Sequence, residues 1–314
     1  MTTHFIIHCN NDQIWNLTEL IHFLSQNQNQ CIRLKINPEA ICLTTLGLYD
    51  ILDAFKFKQV VIETRNLFER HSVYQFEYIT DNAFLQEQSQ ISTELHCWTQ
   101  NKVFYTCYGR PTAARLGLAG HLYTHHRDIS HLHFSTPADP DHLALFEMNK
   151  LFTWSIGAAA QAAKMAEQMP LTIAKTDNYN RCHYDYADPL TQEYQHCFAD
   201  IVVETHVLGN TFFPTEKTTR PMWLKKPFII FASKNYLEYL RQMGFRTFGD
   251  FWDETYDGYE SADRLLKIQK LLDHIAQIPV DELEKMYWDM QYTLEHNYQL
   301  LMTQRYTKQI TKIP

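Results

Sequence analysis

The residues best suited to chemistry lie in the run Ala199 to Ile230, ADIVVETHVLGNTFFPTEKTTRPMWLKKPFII. An apolar, strand-like stretch ends in Glu204. A polar loop with Gly209, Asn210 and Thr211 then delivers Thr215-Glu216-Lys217-Thr218 to the predicted start of a helix, and a second apolar strand follows over 227–232. A lysine there offers a point charge to phosphate, and a glutamate accepts hydrogen bonds from a ribose diol. The helix start adds backbone N–H groups and the positive end of its dipole. A Glu-Lys pair alone is ordinarily a solvated ion pair. Framed by two apolar strands and a loop of turn formers, it fits an anionic, sugar-bearing ligand such as a nucleotide sugar.

Other groupings carry weaker chemistry. Asp253, Glu254 and Asp257 form an acidic cluster among aromatics, which can supply a base or contact sugar hydroxyls but more simply packs a loop or caps a helix. Asp139-Pro140-Asp141 satisfies a metal-binding Asp-x-Asp pattern, yet Asp141 sits where a helix N-cap is needed. His121 and His125, spaced i, i+4, place two imidazoles on one helix face, and no third ligand is apparent at a supporting spacing, so no metal is expected. Ser233 and Lys234 follow the second apolar strand within reach of a ligand. A Gly-x-Ser-x-Gly elbow is absent, which leaves a serine hydrolase unsupported.

The elements that must position these residues are legible from periodicity. His4 to Cys9 reads as a strand, 13–26 as an amphipathic helix, 31–36 as a strand, 43–57 as a helix and 59–63 as a strand. That order implies right-handed crossovers and a parallel sheet. No Gly-x-Gly-x-x-Gly accompanies it, so the dinucleotide fingerprint is missing. The polar run 86–90 reads as a connection. A second unit follows: strand 102–108, helix 111–125 with Pro111 near its first turn, strand 129–134, and helices over 141–153, 156–169 and 189–197. The strands 199–205 and 227–232 come next, then a helix 235–243 closed by Gly244. From Ser261 the chain is helical. Pro279 breaks the pattern, and Asp281 is expected to cap a final helix over 282–305.

Composition sets outer bounds. A chain of 314 residues has room for two domains of roughly 150 residues each. Aromatics at 14% imply ring-rich cores or a stacking surface. A net charge of −8 and a pI near 6.0 argue against nucleic acid as the main partner, although Arg220, Lys225 and Lys226 can form a local basic patch. Seven scattered cysteines without a Cys-x-x-Cys suit buried free thiols in a reducing cytoplasm. The start MTTHFIIHCNND lacks a signal peptide's basic segment and apolar run, and no window approaches the ~18 apolar residues of a membrane span.

The block IVVETHV…FFPTEKTTRPMWLKKPFIIF resembles the nucleotide-binding segment of the α1,3-fucosyltransferase family and related two-Rossmann (GT-B) glycosyltransferases. A second stretch, VFYTCYGRPTAARLGLAGHLY over 103–123, is similar to the strand and Arg-bearing helix that open the C-terminal domain of such enzymes. The resemblance spans roughly 102–251, and only the Thr-Glu-Lys block is specific. It implies an α/β fold of two Rossmann-like domains facing a cleft, over 1–98 and 99–260, with a helical C-terminal tail over 261–314. It implies a nucleoside-diphosphate sugar as donor, no separate cofactor and no metal. Glu216 would hold the ribose, Lys217 the diphosphate with Thr215 beside it, and Arg115, or else Arg110, would grip phosphate. Glu204 would lie close to the donor as a catalytic residue. A base for the acceptor hydroxyl would come from the N-terminal unit, with His8, Asp12 and Glu63 as candidates. Downstream of the second apolar strand the family shows a Pro-Pro-x-Ser-Phe-Ile signature. This chain reads SKNYLEYLRQMGFRTFGDFWDETYDGY instead, which leaves fucose and GDP unsupported. GFRTFGDFWDETYD looks like a stretch in phage and bacterial proteins with a similar Thr-Glu-Lys block. The rival expectation is a non-catalytic nucleotide-binding or structural protein on the same fold, such as a phage or polysaccharide-assembly component. A transferase acting on modified phage DNA bases is disfavoured by the acidic balance.

Overall fold

The computed structural model describes residues 2–10, 13–37, 40–79, 101–134, 140–171 and 193–303. It is a mixed α/β structure with two sheets built mainly from parallel strands.

The first sheet uses β1 (Thr2–Asn10), β2 (Gln13–Ile14), β3 (Cys31–Asn37), β4 (Gln59–Thr64) and β5 (Gln75–Tyr78), in the order β2-β1-β3-β4-β5. All pairs are parallel except β1 with β2. Helices α1 (Leu17–Gln26) and α2 (Leu48–Asp53) make two of the crossovers. Two expectations need correction. The helix predicted from Gln13 begins at Leu17, because Gln13 and Ile14 turn back to pair with Asn10 and Cys9. Asn16 holds this turn, accepting from the His8 amide at 2.9 Å and donating to the Ile6 carbonyl at 2.9 Å. The helix predicted over 43–57 shrinks to 48–53, since Gly47 at φ 71° lies in the left-handed region and ends any N-terminal extension. Strand β5 escaped detection: four residues at a sheet edge give too short an alternation to read.

The second sheet uses β6 (Lys102–Tyr108), β7 (Ser130–Phe134), β8 (Cys197–Val203) and β9 (Phe228–Phe231), in the order β7-β6-β8-β9 and wholly parallel. Every residue of β8 and β9 is buried, as continuous apolar runs require of strands covered on both faces. Around them lie α3 (Ala113–His125), α4 (Pro140–Trp154), α5 (Ile156–Ala166), α6 (Glu216–Trp223) and α7 (Tyr236–Gln242). Helices α8 (Ser261–Ile275), α9 (Val280–Asp289) and α10 (Gln291–Met302) end the described chain. Pro140 is already helical, so Asp141 is not the N-cap, and Asp139 lies outside the described residues. The single final helix expected from Glu282 is two, divided at buried Met290, and Pro279 rather than Asp281 takes the N-cap position. The polar run 86–90 also lies outside the described residues.

Buried apolar side chains form two clusters, one under each sheet. The C-terminal helices share the second: Leu265, Leu272, Leu283, Leu294 and Leu301 pack in the same cluster as Ile201, Ile229 and Phe231. The aromatic segment after α7 belongs to it too, with Phe248 against Phe228 at 4.8 Å and against Trp252 at 5.1 Å between ring centroids. Many of the aromatics therefore serve core packing, although Trp15, Phe152, Trp288 and Tyr292 are exposed. The sheets meet through the loop after β8. Phe212 donates its amide to Asn66 at 2.8 Å, and Leu67 donates to the Phe212 carbonyl at 3.1 Å. Gly209, at φ 62°, lies so close that a Cβ would fall 2.5 Å from Thr45 Oγ1 and 2.7 Å from Cys42 Cβ.

Candidate functional site

The carboxyl ends of parallel strands are where ligands of open α/β sheets bind, and Glu204 stands one residue past β8. It is 1% exposed. Its Oε1 accepts from the Thr215 amide at 3.1 Å and the Thr218 hydroxyl at 2.5 Å, and its Oε2 from the Thr215 hydroxyl at 2.7 Å. The Tyr236 hydroxyl approaches Oε1 at 3.4 Å and Thr218 at 2.9 Å. One buried carboxylate thus fastens the end of β8 to the first turn of α6 and the start of α7. Burying an anion is costly unless donors surround it, and here three hydroxyls and an amide do so.

Thr215 is the N-cap of α6, its hydroxyl accepting from the Lys217 amide at 3.3 Å. Glu216 and Lys217 are half-buried and paired with each other, Lys217 Nζ lying 2.7 Å from Glu216 Oε1 and 3.2 Å from Thr215 Oγ1. Burial alone would raise the Glu216 pKa. The charge of Lys217 and its hydrogen bond outweigh that and leave it below the ordinary value.

Arg115 joins this neighbourhood from α3. Thr112 caps the helix, accepting from the Arg115 amide at 3.3 Å. The guanidinium is 5% exposed and donates to the Arg110 carbonyl at 2.9 Å and to the Val203 carbonyl, at the end of β8, at 3.4 Å. Its Nε is buried with no hydrogen-bond partner among the described residues. Burial lowers its pKa, opposed by Tyr108, Glu204 and Glu216. Arg110 is exposed, and its backbone carbonyl serves to hold Arg115. The structure therefore gathers Glu204, Thr215, Glu216, Lys217 and Arg115 around the ends of β6 and β8.

Next to this cluster is a cavity open to solvent. Its walls are loop and helix residues: Cys42 and Thr45 ahead of α2 on one side, Thr112, Ala113, Glu147, Thr205 and His206 on the other. Glu216, Lys217 and Arg115 do not line it. They adjoin it in sequence, since Thr205 follows Glu204 and Thr112 caps the helix bearing Arg115. Sequence reasoning missed Glu147, whose carboxylate accepts from the Ala113 amide at 2.7 Å and occupies the N-terminus of α3. A partner 34 residues away leaves no local signal.

The remaining candidates lie elsewhere or are engaged. His8 is exposed near the carboxyl end of β1. Glu63 is bound to Arg33 at 3.0 Å, and Asp12 lies outside the described residues. The expected basic patch is overturned, because Arg220, Lys225 and Lys226 are all buried. Arg220 makes two 2.9 Å bonds to Asp200, Lys225 is 2.6 Å from Glu295, and Lys226 donates to the Gln195 and Cys197 carbonyls. An aspartate inside the apolar run ADIVV was the available clue, since a charge buried in a strand demands a paired cation. The acidic cluster is structural. Asp257 accepts from the Leu237 and Glu238 amides and so caps α7, Glu254 accepts from Phe248 and Thr247, and Asp253 accepts from Thr255. Lys234 pairs with Glu260, and the buried Ser233 hydroxyl donates to the Thr211 carbonyl. Cys31, Cys42 and Cys197 are free thiols. No helix among the described residues is long and apolar enough to cross a membrane.

No family model matches the sequence, and no curated protein matches it. Among solved structures, the crystal structure of a glycosyltransferase from Rickettsia africae ESF-5 aligns with a TM-score of 0.36 and 12% identity, over 95% of this chain and 81% of that one.

Proposed function

We propose that the chain is a glycosyltransferase that moves a sugar from a nucleoside diphosphate to an acceptor hydroxyl without a metal. In this reading the two sheets are the cores of facing Rossmann-like units, 1–98 and 99–260, followed by helices over 261–314. The donor lies across the carboxyl ends of β6 and β8. The observation that carries the proposal is the pairing of two cationic side chains, Arg115 and Lys217, with the capped N-terminus of α6 around one strand end. Charge builds on the diphosphate as the sugar departs, and fixed cations with oriented N–H groups stabilise it. Lys217 would exchange its Glu216 partner for phosphate, Arg115 would take the second phosphate, and Glu216, released, would accept from the ribose diol. The adjoining cavity, open to solvent, would take the sugar and acceptor. His8 is the candidate base on the acceptor side.

One observation favours a second reading, nucleotide binding without catalysis. Both oxygens of Glu204 are committed to Thr215, Thr218 and Tyr236, so this acid serves as a brace and is poorly placed to take a proton.

Thermal-shift and calorimetric titration with UDP, GDP, ADP and CMP, followed by hydrolysis assays with the matching sugar donors, tests both. A bound nucleotide raises stability by mass action. Binding that falls at least about tenfold in Lys217→Ala, with turnover, supports the transferase. Binding without turnover of any donor selects the second reading. Absence of binding, or binding indifferent to Lys217→Ala, sinks the site.

A further inference from the structure

At the end of α3 remote from Arg115, two histidines of that helix end converge with an aspartate from α8. His121 Nε2 lies 2.8 Å and His126 Nε2 2.7 Å from the same oxygen, Asp273 Oδ1 on α8. The three ligand-capable atoms fall within 4.8 Å of one another. His121 is 95% buried by its surroundings, at 5% exposure, whereas Asp273 is half open to solvent. The i, i+4 spacing of His121 and His125 pointed to the wrong partner: His125 is exposed and its Nε2 is 3.0 Å from Gln161 Nε2.

We infer that His121, His126 and Asp273 form a zinc-class site that clamps α8 to the end of α3. Two imidazole nitrogens and one carboxylate oxygen are the borderline donor set that Zn²⁺ takes, at about 2.0–2.2 Å from each atom. Four-coordinate geometry spaces such donors by roughly 3.3 Å, so modest side-chain rotation brings atoms now within 4.8 Å into place. The exposed side of Asp273 leaves room for water as fourth ligand. Mg²⁺ and Ca²⁺ prefer oxygen-rich shells and would bind poorly here. Convergence on one carboxylate oxygen also satisfies the two histidines without an ion, as a His-Asp-His hydrogen-bonded staple, and the experiment must separate these. The site lies six to eleven residues along the chain from Arg115, roughly 9–16 Å at helical rise. Its role is therefore to hold the C-terminal helices, independent of the nucleotide reading.

The test uses the full chain without a histidine tag, stripped with chelator and titrated with Zn²⁺ by calorimetry, and with Co²⁺ as a visible-absorption probe. The expected results are one equivalent bound, a tetrahedral Co²⁺ spectrum and a higher melting temperature with Zn²⁺ but not Mg²⁺. Asp273→Asn and His126→Gln, both at partly exposed positions, should each weaken affinity at least about tenfold, while His125→Gln keeps it. Circular dichroism confirms that each variant remains folded, and His121→Gln is reserved for confirmation because that residue is buried. Failure to bind one equivalent, or binding that survives Asp273→Asn and His126→Gln together, overturns the inference in favour of the staple. Loss of binding in His125→Gln but not in Asp273→Asn overturns it as well.

Discussion

Glu204 and Thr215 meet twice: the Thr215 hydroxyl donates to one carboxylate oxygen at 2.7 Å and its amide to the other at 3.1 Å. The cap of α6 is thereby bonded to the end of β8. The orientation of the Glu216-Lys217 pair is a consequence of that bond, since both follow directly from a residue whose backbone and side chain are fixed.

Glu204→Ala should therefore destabilise the fold as well as the site. It strands the hydroxyls of Thr215 and Thr218 and one amide in a buried place, at about 1–3 kcal/mol for each group left unsatisfied. A loss of roughly 3 kcal/mol in chemical denaturation is expected. A loss below about 1 kcal/mol would show that water replaces the carboxylate and that the brace is weaker than its geometry.

The ionisation of Glu216 depends on Lys217. In the native chain its pKa lies below the ordinary 4.5. Its contribution to stability is thus present above pH 4.5 and lost as pH falls through the folded value. In Lys217→Met the burial effect is no longer opposed by that charge and hydrogen bond, so the pKa should rise and the stability that Glu216 contributes above pH 4.5 should shrink. Carboxyl-carbon NMR titration of Glu216 in both proteins reads the shift directly, and a value unmoved by the substitution would contradict the pairing.

Asp200 and Arg220 form a buried pair cushioned by Tyr105 and Tyr194, the Tyr194 hydroxyl donating to Asp200 at 3.0 Å. Removing one partner leaves a buried charge and costs about 3–5 kcal/mol. Arg220→Met and Asp200→Leu should each fall in that range, while the double variant recovers most of the loss. A double-mutant cycle by urea denaturation measures the coupling; additive losses would refute it.

Gly209→Ala probes the seam between the two sheets. A left-handed backbone costs a non-glycine residue about 1–2 kcal/mol, and the added methyl would meet Thr45 and Cys42 below contact distance. A loss above roughly 2 kcal/mol is expected, with faster hydrogen exchange over 41–47. Gly47→Ala, whose Cβ meets nothing within 4 Å, should cost only the backbone part.

The order of strands and helices was written in the chain's periodicity, because alternation and 3.6-residue spacing are local and survive in one dimension. So was the helix start at Thr215, where a capping residue, an acid and a lysine follow one another. Short or edge elements were not: β5 and the Gln13-Ile14 turn take their form from a neighbouring strand. Partnership was decided by tertiary structure alone. Asp273 is 147 residues from His126, Glu147 is 34 from Ala113, and Asn66 is 146 from Phe212. Buried polar groups must find partners, and the sequence displays that demand in residues such as Asp200 and Glu204. Which group meets it is settled only when the chain folds and brings distant donors within hydrogen-bond reach.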